Sequence, residues 1–329
     1  MSARPPIDPQ RWQPPGADFP VPEPTAISVT TMPLPHSGED VAVFPDGTTF
    51  TGLGNGEVVR VSDDGEVARV ATVSDGRILG LEVHPDGWLV ACVADEGLFR
   101  VDPDTATVEA IQTEVEGRPL VFTNNAHVLG DGTILFSEST TRFGFEWYRG
   151  DFVEHSRTGS LWARSADGSV DRLLGGLAFA NGVVKTPGED SVLVAETGGY
   201  SIRKVWTGGE HAGESEFFVD GFPGMFDNLS VGPTGTVWAA IVNERNPALD
   251  FLLPRAPFLR KLAWATPEQL QPQPAAICRI VGFDATGAVT HYLEAPGRQY
   301  AFVTGVREHE GRLWLASIEQ PSLAVVDLP

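Results

Sequence analysis

Four oxygen-bearing residues stand at matching places in a recurring pattern: Glu39, Asn124, Asn181 and Asp227 each lie six residues before a Pro or Gly turn. Two carboxylates and two amide carbonyls brought to one point would make a hard-oxygen cage. Such a donor set suits Ca2+ first and Mg2+ or Mn2+ less well, with Zn2+ last because it favours His and Cys ligands. A cation would also relieve the repulsion of two carboxylates confined together. A carboxylate held there could also take a proton from an attacking water. Asn125 and Asn228, next to two of these positions, either add a ligand or orient one, and simple turn capping explains them equally well.

The elements that must position these residues are short β-type runs broken by Gly, Asp and Pro, as in DVAVF, WLVACV and LFRVD. A unit of apolar strand, turn and second apolar strand occurs six times: EDVAVFPDGTTFTG, LGLEVHPDGWLVAC, NNAHVLGDGTILFS, NGVVKTPGEDSVLVA, DNLSVGPTGTVWAA and VTGVREHEGRLWLAS. Its anchors are Glu39, Leu79, Asn124, Asn181, Asp227 and Val303, and its turns begin at Pro45, Pro85, Gly130, Pro187, Pro233 and His309. The anchors are separated by 40, 45, 57, 46 and 76 residues. A four-stranded propeller blade takes about 40–45 residues, so the pattern predicts an all-β, six-bladed β-propeller with four antiparallel strands per blade. Insertions are expected near 143–158 and 243–276. In the second, ALDFLLPRAPFLRKLAWATPEQL is the one stretch with helical spacing, with Pro254 and Pro257 expected to break it. The second insertion is read as either an outer helical decoration or a lid over the channel mouth.

After Val303 there is room for only three strands. TAISVTTM, at 25–32, is expected to supply the fourth and close the ring, which removes an open sheet edge. Eight of the first 24 residues are proline, so 1–24 reads as an extended arm that either wraps the outer blades or stays unstructured. The propeller itself occupies 25–329.

The stretches FTNNAHVLGDGTILFSES, GLAFANGVVKTPGEDSVLVAET and GFPGMFDNLSVGPTGTVWAA resemble the strictosidine synthase-like branch of the six-bladed propeller superfamily, which also holds the SMP-30/gluconolactonases and the paraoxonases. The resemblance runs from about Glu39 to the C-terminus. It implies a calcium-type site on Glu39, Asn124, Asn181 and Asp227, and in the hydrolytic relatives an acidic ligand equivalent to Asp227 activates water. Three positions depart from the relatives. Asn125 stands where Asp is common, Leu79 where paraoxonases carry their main histidine, and Thr304 where plant strictosidine synthases carry a catalytic glutamate.

Other residues are read as structural. Alternation along a strand turns His127 away from Asn124, toward a neighbouring blade. His84 and His309 sit at turns and read as solvated, and GLGNG at 52–56 is a hairpin rather than a nucleotide loop. Cys92 and Cys278 read as small buried strand residues. Phe226, beside Asp227, is expected to wall a substrate pocket with Phe222 and Met225, while Phe143, Phe145, Trp147 and Tyr148 crowd the first insertion.

The chain has 329 residues and a formal charge of −21. That balance repels phosphate backbones and anionic headgroups, so neither nucleic acid nor membrane is expected as a partner. The N-terminus lacks the apolar stretch of a signal peptide, which predicts a cytoplasmic protein. The favoured function is a metal-dependent hydrolase of lactones or related esters, acting on a small molecule. The alternatives are a carbon–carbon bond-forming or isomerising enzyme of natural-product metabolism, and a binding propeller whose calcium is structural. Oligomeric state is not legible.

Overall fold

The structure is a computed structural model that describes residues 4–188, 190–267, 271 and 274–328. Six blade sheets follow one another along the described residues, at 38–72, 78–112, 123–177, 180–219, 224–295 and 303–327, with a two-stranded ribbon of Glu114–Val115 and Arg118–Pro119 between the second and third. Within each, consecutive strands pair antiparallel and side by side, so each sheet is a simple meander. The inner strands are Gly38–Val43, Ile78–Val83, Thr123–Val128, Ala180–Lys185, Gly224–Val231 and Val303–His309. Val, Leu, Ile and aromatic side chains from facing sheets interlock in separate clusters between neighbouring blades, such as Val184, Leu193, Phe222, Phe226 and Phe283 between blades 4 and 5. Both cysteines are buried and free.

The last blade has three strands of its own, and Thr30–Pro33 pairs antiparallel with its outer strand Ser322–Asp327. The ring is therefore closed by the N-terminal segment, as expected. The sequence did not predict the neighbouring contact, in which Thr25–Ala26 adds a fifth, parallel strand to blade 5 beside Val289–Ala295.

In a meander, the connection entering an inner strand and the one joining the second strand to the third emerge at the same end. Both insertions are second-to-third connections, in blades 3 and 5, so both lie at the end where the inner strands begin. The first holds a single 3-10 turn, Phe145–Trp147, and helix α1, Arg149–Glu154, which its spacing had not revealed. The second holds α2, Pro247–Leu252, capped by the Asn246 side chain, and α3, Pro257–Ala265. Pro257 starts α3 instead of breaking it, since the first helical position needs no N–H donor. The 268–270 tail of that segment lies outside the described residues.

The insertions form one cap. Trp147 meets Trp264 edge to face at 6.2 Å. Arg260, fully buried, donates from Nη1 to the Val153 and Glu154 carbonyls at 3.0 Å each. The arm begins on this cap and continues along blades 4 and 5, where Phe19 and Val21 pack against the core those blades share. Ile7 is buried with Phe143 and Trp264, the Asp8 amide donates to Glu154 at 2.7 Å, and Trp12 stacks on His155 at 4.0 Å. Farther along, Arg245 of blade 5 holds the Pro15 and Gly16 carbonyls at 2.8 and 3.1 Å.

Candidate metal centre

Every inner strand carries a register break at the same height. The breaks fall between Gly38 and Val41, Ile78 and Gly80, Thr123 and Ala126, Ala180 and Val183, Phe226 and Leu229, and Val303 and Gly305. A bulge of this kind places one extra residue on the strand and re-aims its side chain. The residues that follow the last regular partner are Glu39, Leu79, Asn124, Asn181, Asp227 and Thr304. The sixth anchor is therefore Thr304 and not Val303. The final hairpin turns one residue later, at Glu310 and Gly311, so counting back from His309 misplaced it. Val303 instead packs between blades 5 and 6.

Glu39, Asn124, Asn181 and Asp227 are each at least 95% buried, and each presents one buried oxygen without a hydrogen-bond partner: Glu39 Oε2, Asn124 Oδ1, Asn181 Oδ1 and Asp227 Oδ1. Buried polar atoms are normally paired, so four unpaired acceptors on one ring have the chemistry of a cation cage. Asn228 adds a fifth unpaired oxygen, Oδ1. Among the described residues no three His, Cys, Asp or Glu side chains gather as a metal set. The donors here are two carboxylates and amide oxygens, which fit calcium better than zinc.

The two amides are held in one way. Asn124 donates through Nδ2 to Ser139 Oγ at 3.0 Å, and Ser139 passes its own proton to the Ala180 carbonyl at 2.6 Å. One blade on, Asn181 donates to Thr197 Oγ1 at 3.2 Å, and Thr197 donates to the Phe226 carbonyl at 2.7 Å. A hydroxyl at the end of the second strand thus fixes each amide's rotamer, leaving Oδ1 unpaired. Sequence reasoning missed Ser139 and Thr197, although each follows its asparagine by 15 or 16 residues.

Burial pushes Asp227 up to about 8, against the lowering effect of the Asn181 amide. Burial also raises Glu39 well above the usual carboxylate range, with the Asp227 charge adding to it and Arg77 opposing it. The site therefore strongly disfavours two uncompensated negative charges.

The residues after the anchors form a second ring in which side chains alternate with glycine: Asp40, Gly80, Asn125, Gly182, Asn228, Gly305. A Cβ on Gly182 would sit 2.2 Å from the Leu229 nitrogen, and one on Gly80 would sit 2.6 Å from the Asn124 carbonyl. Asp40 accepts from the Leu81 amide and from Asn125 Nδ2, at 3.1 Å each, and Asn125 accepts from the Val183 amide at 3.1 Å. Asp40 and Asn125 are thereby committed to tying blades 1, 2, 3 and 4 together. Thr304 likewise ties blade 6 to blade 1, donating to the Glu39 carbonyl at 2.7 Å.

Two expectations are corrected at the level of single side chains. Phe226 is fully buried in the core between blades 4 and 5, against Phe222 and Phe283, and walls no pocket. Next to a residue that faces the axis, it faces the blade interface, and it serves the site only through its carbonyl. His127 does not pack between blades, because the bulge resets the alternation. Arg307 of blade 6 crosses blade 1 to pair with Glu82 of blade 2 at 2.7 Å, and His127 of blade 3 lies 4.0 Å from the same carboxylate. These groups line the channel below the second ring. His84 is also buried, stacked on Trp88 at 3.9 Å.

The mouth above the anchors is aromatic. Phe122 and Phe179, each two residues before a ligand-type asparagine, pack with Leu79 and Ala94 against Phe145, Tyr148 and Phe152 of the first insertion. Tyr148 and Phe179 are 6.2 Å apart, Phe152 and Phe179 4.5 Å. Arg77, beside Glu39, lies under the Phe145 ring at 5.0 Å and is tied to Ser37 Oγ. The first insertion is therefore a lid, which roofs the channel over blades 2, 3 and 4.

Residues 40–247 match the family model described as the SMP-30/Gluconolactonase/LRE-like region. The chain belongs to this family. Among its relatives, an adipocyte plasma membrane-associated protein of Rattus norvegicus is 30% identical over 320 residues, covering 89% of this chain and 84% of the relative. A strictosidine synthase-like protein of Arabidopsis thaliana is 31% identical over 268 residues, covering 77% and 70%. A gluconolactonase of Xanthomonas campestris superposes with a TM-score of 0.67 at 18% identity over 99% of both chains. A calcium-binding regucalcin of Agrobacterium tumefaciens gives 0.65 at 16%, covering 94% and 96%. The structural likenesses establish the shared propeller. Among the described residues no helix is long and apolar enough to cross a membrane.

Proposed function

We propose that this family member is a metal-dependent hydrolase of lactones or related esters, with a calcium-type ion held by Glu39, Asn124, Asn181 and Asp227. The observation that carries the reading is the set of four unpaired, buried oxygens, two of them on amides fixed by hydroxyls. Asn228 Oδ1, buried and also without a hydrogen-bond partner, is proposed as a further ligand. When bound, the ion supplies Lewis acidity toward a carbonyl and the charge that keeps both carboxylates ionised.

Within that setting the chain's own residues do the rest. Asp227 takes the proton of the attacking water, Ser139 and Thr197 hold the amide ligands, and the buried walls exclude bulk solvent. Phe122, Phe179 and Tyr148 contact the part of the substrate that does not react. At the position where strictosidine synthases carry their glutamate, Thr304 is buried and spends its hydroxyl proton on a carbonyl, which counts against condensation by that route. A cytoplasmic location belongs to the same proposal and is tested by cell fractionation.

The decisive experiment is an assay of lactone and aryl-ester opening before and after EDTA, with Ca2+ restored, beside calorimetric titration of Ca2+. Turnover that vanishes with chelator and returns with Ca2+ supports the proposal. Tight Ca2+ binding with no turnover of any lactone or ester would assign the ion a structural role and the chain a binding function.

A further inference from the structure

Helix α3 is turned inside out relative to an ordinary surface helix. Its buried face carries Arg260, at 0% exposure, together with Trp264, while Phe258 and Leu262, one turn apart, stand 66% and 68% exposed. Amphipathic surface helices normally do the reverse. The buried arginine donates through Nη1 and Nη2 to the Val153 and Glu154 carbonyls and to the Gln10 carbonyl of the arm, with Nε left unpaired. Phe251 at the end of α2 is 57% exposed, so three of the four exposed large apolar side chains among the described residues share this one corner.

The charge pattern there is also unlike the rest of the molecule. Between Asp250 and Glu268 the sequence carries Arg255, Arg260 and Lys261 and no carboxylate, and with Arg260 buried the surface cations there are Arg255 and Lys261, in a chain whose net charge is −21. The Arg255 guanidinium covers the Phe251 ring at 3.3 Å, and Lys261 has Asp8 of the arm at 3.7 Å. Aromatic and leucine side chains flanked by cations that keep their heads in water are the chemistry of an interfacial helix. Three partly exposed side chains of this size offer roughly 300–400 Å² of apolar surface. A stable protein interface takes about 800 Å² per partner, so a second copy of the chain or another protein fits this small patch poorly. A lipid surface needs only that the side chains insert.

We propose that Phe251, Phe258 and Leu262 form a membrane-docking face, with Arg255 and Lys261 contacting lipid phosphates. The whole-molecule charge argues against membrane binding at long range, but a repulsion screened within about 8 Å at physiological salt leaves local contact to this corner. Because the face belongs to the cap, docking would bring the aromatic mouth close to the bilayer. The inference does not depend on the hydrolase reading.

The test is flotation of the full chain with phosphatidylcholine vesicles, with and without phosphatidylserine. The chain is expected to float with both, and a Phe258→Asp/Leu262→Asp double variant to bind at least tenfold more weakly. Lys261→Glu should lose only the increment due to phosphatidylserine. A Leu262→Trp variant, which needs no disruptive charge, should shift its emission to the blue on adding vesicles. No flotation of the unaltered chain, equal flotation of the double variant, or an unshifted tryptophan would overturn the proposal. Concentration-dependent self-association abolished by the double variant would overturn it as well, by assigning the face to a second copy.

Discussion

Asp227 is the residue on which two demands of the proposed function meet, since in that proposal the same carboxylate binds a cation and accepts a proton. Asp227→Asn keeps size and donor geometry but removes the basicity. It is expected to retain folding and lower kcat by at least about a hundredfold, the usual scale of a lost general base, which steady-state assay with Ca2+ at saturation checks. Ser139→Ala tests positioning without touching a ligand. The freed Asn124 amide should weaken Ca2+ affinity by about 10–100-fold, read by calorimetry, with near-normal kcat once Ca2+ is saturating. Gly182→Ala asks what the second ring tolerates. With 2.2 Å available to the new Cβ, the strand must shift, and a loss of about 1–3 kcal/mol in denaturant unfolding is expected. The four oxygen-bearing anchor positions were legible because each repeat carries its own ruler, the turn six residues on. Thr304 was misplaced by one because the final hairpin turns one residue later, at Glu310 and Gly311. The fate of Phe226 was illegible for a different reason: adjacency in sequence says nothing about face until the bulge is seen.

At the level of elements, the bulges and the cap decide what the site can do. Short inner strands and their turns were readable from alternation and Pro-Asp-Gly chemistry, whereas a bulge adds one residue without leaving a distinctive sequence mark. That is why His127 was assigned to the wrong side. The helices of the cap were only partly readable, since α1 is six residues long and its stability comes from packing on Phe143, Trp264 and the arm, not from its own periodicity. The cap also carries a pH dependence. Burial pushes His155 down to about 3, with Arg157 and Arg260 adding to it. An unfolded histidine titrates near 6.5, so the unfolded state binds more protons between those values. The stability tied to neutral His155 is complete above about pH 6.5 and is lost as the pH falls toward 3. Asp151 and Asp40, raised to about 6, act in the opposite sense between pH 6 and 4. A His155→Phe variant isolates the first effect: its melting temperature should fall less between pH 7 and pH 5 than that of the unaltered protein, measured by calorimetry in parallel.

At the scale of the whole molecule, stability is shared around a closed ring, and the segment that closes it also holds the cap. Deleting residues 1–33 removes both Thr30–Pro33 and the arm's contacts with Glu154 and His155. The truncated chain is expected to aggregate or to melt well below the full chain, because the outer strand of blade 6 becomes an unpaired edge. Light scattering during a thermal ramp checks this. The six-bladed count, the closing strand and the two insertion sites all followed from counting repeats. The arm's seat on the cap did not, because a proline-rich stretch has no periodicity to show which surface it meets.

The closing strand also sets an order of events. Thr30–Pro33 leaves the ribosome before any blade, yet its partner Ser322–Asp327 belongs to the last blade made. A contact of such sequence separation cannot assist the early steps of folding. During synthesis the nascent chain must therefore pass through an open arc with two unguarded flanks, and the seam can be sewn only when translation is almost over. Slower elongation lengthens that exposure, so chaperone demand for this protein should track its rate of synthesis more than its final stability.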